Sequence, residues 1–271
     1  RIVDNNPDPR VPYYIYNQKT ATAAPENCTE FRDGGFITII FGSSGPCRDG
    51  SNSATYSLLG IYPVGGRYET NLGQTITALG PVNAGTGSVP HTFISYADRL
   101  YLEAELINAG LAPGTAKTTF SSALDASFGQ VDYYIANYIK PGSAGAPQTV
   151  PALVGTTAVN TYKTNLLTAW DAATPARQLE YIMTEKWINR IENPVDSYTD
   201  YRRTKYPVMF APAPEGTVTS VSDYSTPAKV TPVSNDRKYP WSLPFSTNEI
   251  SLNSSSPPQK VPENYKVFWQ P

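Results

Sequence analysis

Residues 92–110 read Thr-Phe-Ile-Ser-Tyr-Ala-Asp-Arg-Leu-Tyr-Leu-Glu-Ala-Glu-Leu-Ile-Asn-Ala-Gly, and their spacing decides the fold class. Phe93, Ala97, Leu100, Ala104 and Ile107 recur at steps of four and three, the apolar stripe of an amphipathic helix. Thr92 is expected to cap its start, and Gly110 followed by Pro113 ends it. A second stripe follows at once, with Phe120, Leu124, Phe128, Val131, Ile135 and Tyr138 on one face and Pro141-Gly142 as its stop. Two such helices joined by a short turn form an αα-hairpin.

Beyond a Pro/Gly/Ala/Thr-rich linker over 141–157 the pattern returns. Tyr162, Leu166 and Ala169 share a face. Thr174-Pro175 then reads as an N-cap followed by Pro at the first helical position. Leu179, Ile182, Met183, Trp187 and Ile191 continue at helical spacing until Pro194. Two hairpins in succession suggest tetratricopeptide-like units, without the clean consensus spacing.

On either side the pattern differs. Residues 1–90 are loop-rich, with one good strand candidate at 36–41, Phe-Ile-Thr-Ile-Ile-Phe, between glycines. From 194 the chain is again rich in Pro, Ser and aromatics, and it is expected to be irregular. Three regions result: a loop-rich candidate ligand-binding region over 1–90, a helical-hairpin scaffold over 91–193, and an irregular region over 194–271 packing back on the helices. The expected class is mainly α, with helical hairpins, a large loop-rich face and minor β.

Composition narrows the function. The 271 residues include 19 Tyr, 25 Pro and 19 Gly but only 16% charged residues, at a net charge of −2. That balance offers nothing to nucleic acid, and no Lys/Arg cluster interleaves the aromatics. No run approaches the roughly 18 apolar residues of a membrane span. Tyrosine is a rigid amphipathic ring suited to sugar or peptide faces and wet interfaces, although it also seals loops against a core. Cys28 and Cys47 lie in a Gly/Ser-rich stretch, and whether they form a disulfide is open.

Catalytic patterns are sparse. His91 is the one imidazole, placed at a helix entrance where capping or surface exposure suits it better than a triad. Gly42-Ser43-Ser44-Gly45 lacks the lysine of a phosphate loop. Glu103 and Glu105 stand two apart on a helix and so point to different sides, one to solvent and one toward an arginine in a structural role. The adjacent Arg202 and Arg203 read as carboxylate anchors, with an anionic ligand as the alternative. No cofactor or metal is expected.

Several ordered segments carry a resemblance. Ser95 through Glu105, ending near Gly110, is similar to the Leu-x-x-Ala-Glu helix of the SusD/RagB outer-membrane nutrient-binding lipoproteins. Glu185-Lys186-Trp187-Ile188 resembles that family's Gln-Lys-Trp helix, and Asp200-Tyr201-Arg202-Arg203-Thr204-Lys205-Tyr206-Pro207 its Arg-Arg-Thr-Gly-Tyr-Pro signature. Arg237-Lys238-Tyr239-Pro240 with Glu249 through Asn253, and the closing Lys266-Val267-Phe268-Trp269, fit as well. Upstream, so do Asp8-Pro9-Arg10 and Tyr62-Pro63-Val64-Gly65-Gly66. Lys205 departs from the pattern, standing where the family usually has Gly, and Trp241 to Phe245 look inserted.

The resemblance implies a C-terminal portion of a surface-exposed outer-membrane lipoprotein. Its lipid anchor would lie outside this chain and provide the only membrane contact. It also implies a non-enzymatic protein that captures a nutrient, an oligosaccharide or a peptide, and passes it to a TonB-dependent outer-membrane transporter. The two hairpins would be the later ones of four. For an oligosaccharide, Tyr56, Tyr62 and Tyr68 are the expected stacking faces, with Arg67 donating to hydroxyls and Trp241 as a further candidate. A protein-interaction scaffold without a small ligand is a third reading. A hydrolase would need two carboxylates converging about 5–10 Å apart in one cleft.

Overall fold

The computed structural model describes residues 6–16, 31–33, 36–38, 58–59, 91–138, 151–191, 193–208, 240–262 and 264–268. Among these the architecture is mostly helical. A short helix α1 (Val11–Tyr14) leads into strand β1 (Ile15–Tyr16), which pairs antiparallel with β4 (Leu58–Leu59) in the register Ile15 to Leu59. Strands β2 (Phe31–Asp33) and β3 (Phe36–Thr38) pair antiparallel, Phe31 opposite Thr38. The strand expected over 36–41 is therefore described as far as Thr38; its remaining residues and both cysteines lie outside the described set.

The helical hairpins are as the periodicities foretell. Helices α2 (Tyr96–Asn108) and α3 (Ala116–Asn137) form the first, α4 (Thr157–Asp171) and α5 (Pro175–Asn189) the second, and α2 packs on both α3 and α5. Ala97, Leu100, Tyr101 and Ala104 of α2 meet Phe120, Leu124, Phe128 and Val131 of α3, all buried in one core that also takes Tyr162, Leu166 and Trp170 of α4 and Ile182 and Met183 of α5. Phe120 stacks on Trp170 at 4.8 Å between ring centroids, tying the first hairpin to the second.

The caps refine the expected boundaries. Ser95, not Thr92, opens α2: its side chain accepts from the Asp98 N–H while the Asp98 carboxylate accepts from the Ser95 N–H, a reciprocal capping box. Thr92 instead shares a hydrogen bond with the Tyr134 hydroxyl. Phe93 precedes the helix and is exposed, so it does not belong to the buried stripe. At the other end Gly110 takes a left-handed φ of 73°. The Gly110 and Leu111 N–H groups donate to Ile107 and Leu106 carbonyls, closing the helix in a Schellman turn that favours glycine. Thr174 caps α5 ahead of Pro175, accepting from the Arg177 N–H.

The N-terminal segment is built into this core. Arg10 is wholly buried and donates from Nε and Nη2 to Asp8, at 2.9 and 2.6 Å, and from Nη2 to Glu185 of α5, at 2.6 Å. Its Nη1 reaches Ser127 of α3 at 2.9 Å, and the Tyr162 hydroxyl of α4 donates to the other Glu185 oxygen. Burial pushes the Glu185 carboxyl up, against the pull of Arg10 and with the help of Asp8. Asn6 adds a bond from its side-chain amide to the Tyr162 carbonyl at 2.9 Å.

Candidate functional site

Pro194 does more than close the preceding helix. It occupies the first turn of α6 (Pro194–Thr204), a position where its missing N–H costs nothing. The expectation of an irregular chain from 194 is corrected here, because Tyr201-Arg202-Arg203-Thr204 is the last turn of a helix. Asp196 near its start and Arg202 and Arg203 near its end suit the helix dipole.

Ion pairs pin α6 to the hairpins. Both Arg203 terminal nitrogens donate to the Glu105 carboxylate of α2, and Nη2 also reaches Asp200 at 3.0 Å. Lys186 of α5 meets Asp200 at 2.7 Å. Arg190 bridges Asp98 at 2.8 Å and Asp196 at 2.5 Å. Glu105 is buried, whereas Glu103 faces solvent and pairs with Arg99 at 2.7 Å, so these two glutamates of α2 divide as their spacing requires.

At the end of α6 the chain turns through Lys205, whose φ of 67° is the left-handed conformation that a glycine adopts without strain. The lysine places its ammonium 3.5 Å from the centroid of the Trp241 ring, a cation–π contact. Burial, then the nearby charge of Lys266, lowers the Lys205 ammonium from its ordinary range. Tyr201, one turn back on α6, lies parallel to Trp241 with centroids 5.9 Å apart and planes inclined by 6°. The Trp241 backbone N–H donates to the Pro262 carbonyl at 2.8 Å, and the Tyr198 hydroxyl donates to the carbonyl of Pro240.

Of the residues expected to bind ligand, Trp241 is the one the structure describes, and it stands in a cluster with Tyr201 and Lys205. Tyr56, Tyr62, Arg67 and Tyr68 lie outside the described residues. Lys205 has no apolar or catalytic pattern around it in the sequence, and its place where the family usually has glycine is the one local signal of its left-handed turn. His91 is exposed, its ring edge-on to Phe93 at 5.2 Å. Among the described residues no group of three or more His, Cys, Asp or Glu is arranged to hold a metal ion, and no helix is long and apolar enough to cross a membrane.

Comparison with known proteins places this geometry in context. No curated protein matches the chain. Solved structures do. A SusD-like protein from Bacteroides thetaiotaomicron is 25% identical over 75% of this chain and 36% of its own, at a TM-score of 0.42. A protein described as chitin-binding is 19% identical over 92% of this chain and 42% of its own, at 0.45. A Bacteroidetes SusD-like protein is 20% identical over 59% of this chain and 25% of its own, at 0.41. The matches therefore span between a quarter and about two fifths of the length of those solved chains. The family model described as Susd and RagB outer membrane lipoprotein matches residues 57–239, well over half of the sequence, and the chain belongs to the SusD-like family.

Proposed function

We propose that this chain captures an oligosaccharide at the cell surface, unchanged, for hand-over to a TonB-dependent transporter of the outer membrane. Membership of a family of outer-membrane lipoproteins is the observation that carries the reading. The chemistry of the described residues supports it. The buried or partly buried carboxylates Asp8, Asp98, Glu105, Glu185 and Asp200 each face an arginine or lysine, the pattern of structural anchoring. Sugar capture draws instead on aromatic faces and planar polar groups. Tyr56, Tyr62 and Tyr68 are proposed as stacking faces, Arg67 as a donor to hydroxyls, and Trp241 as a further platform.

Affinity electrophoresis through gels containing a panel of polysaccharides tests the reading, with a peptide pool titrated in parallel and the recovered glycans sized. Selective retardation by one glycan class, with that glycan recovered at its original size, is the expected result. Binding confined to peptides would replace the oligosaccharide with a peptide nutrient, and shortening of the glycan would replace capture with hydrolysis. Single alanine substitutions at Tyr56, Tyr62, Arg67 and Tyr68 test the site: if all four leave affinity unchanged, that assignment is wrong.

A further inference from the structure

Two stretches of the C-terminal segment run side by side. The Trp241 and Ser242 N–H groups donate to the Pro262 carbonyl at 2.8 and 3.3 Å. The Phe245 N–H donates to the Gln259 side chain, which donates back to the Phe245 carbonyl, both at 2.9 Å. This pairing brings Lys260 over two rings, its ammonium 4.6 Å from the Phe245 centroid and 4.8 Å from that of Tyr265. Lys205 sits over Trp241 in the same way, its ammonium 3.5 Å from the ring centroid.

The contrast with α6 is chemical. Lys186, Arg190 and Arg203 spend their charge on carboxylates. Lys205 and Lys260 rest on aromatic faces, which attract a cation without neutralising it. Positive charge is thus kept beside half-exposed rings on a chain whose net charge is −2, so the face is not a by-product of overall basicity. A lysine is also retained at a left-handed backbone position where glycine would be unstrained, and such strain gathers at functional sites.

We propose that this face binds the anionic group of an acidic glycan, a uronate carboxylate or a sulfate ester. Lys205 and Lys260 meet the charge, while the edges of Trp241 and of the half-exposed Tyr265 lie against the sugar. The inference rests on the capture reading above and names the class of glycan.

Calorimetric titration of the whole chain with oligogalacturonates and sulfated galactan oligosaccharides, each against its methyl-esterified or desulfated counterpart, provides the test. The charged form of one pair is expected to bind about tenfold tighter than its neutral form. Lys205→Gly, which suits the backbone at that position, and Lys260→Gln are each expected to erase most of that preference while leaving the circular dichroism spectrum unchanged. Equal affinity for charged and neutral forms, or a preference that survives both substitutions, would overturn this inference and leave oligosaccharide capture standing. Equally tight binding of duplex DNA would overturn it as plain polyanion attraction. Silence toward every glycan, charged or neutral, would remove the capture reading and this one with it.

Discussion

Arg10 shows what a single residue does here. Its guanidinium joins Asp8, Ser127 and Glu185, so one side chain from a segment that precedes the hairpins holds α3 and α5 together. Its replacement by alanine strands two carboxylates away from water and is expected to cost roughly 3–5 kcal/mol in urea unfolding. Glu185 adds a pH signature. Its folded pKa is raised above the ordinary 4.5, so its contribution to stability is full below that value and is lost as pH rises through the raised one. Glu185→Gln lacks this loss. The stability of the wild type relative to that variant should therefore fall as pH rises above 4.5, as measured by parallel urea titrations. The sequence marked Asp8-Pro9-Arg10 only by its likeness to a family. Nothing in the local spelling says that an arginine will find its partner 175 positions away.

At the scale of elements, legibility followed apolar periodicity. The four long helices were readable because their stripes are dense, and the burial of Phe120 and Leu124 follows from them. Phe120→Ala is expected to cost about 3–5 kcal/mol, whereas Leu111→Ala, at 76% exposure, should stay within about 0.5 kcal/mol, both by thermal unfolding. Ser95→Ala removes the capping box of α2 and should cost about 1 kcal/mol. Thr92 and Ser95 are both capping residues; what favours Ser95 is Asp98, three positions on, which returns the bond. Helix α6 was missed for a physical reason. Pro194 through Thr204 contains a single aliphatic residue, Val195, which is exposed, so there is no stripe to read. Its order comes from charge pairs with α2 and α5 that only the folded molecule assembles.

At the scale of the whole molecule, the hairpins form a scaffold whose core is closed from the N-terminal side by Arg10 and bordered at α6 by ion pairs. The C-terminal segment then docks on α6 through Tyr198 and Tyr201. The helical class was legible because hairpin spacing is local, and the family because several short motifs keep their order. The candidate site was legible only in part. Aromatic content points to ring platforms, but which rings share a surface depends on pairings such as Trp241 with Pro262, set by the fold and not by spacing. The central claim, capture of an oligosaccharide without chemistry, is tested most directly by calorimetric titration of the chain with whichever glycan retards it most in affinity gels. Saturable binding, with the glycan recovered intact and the peptide pool giving no heat, is the predicted result. Heat from peptides alone, or a glycan recovered shortened, would contradict it.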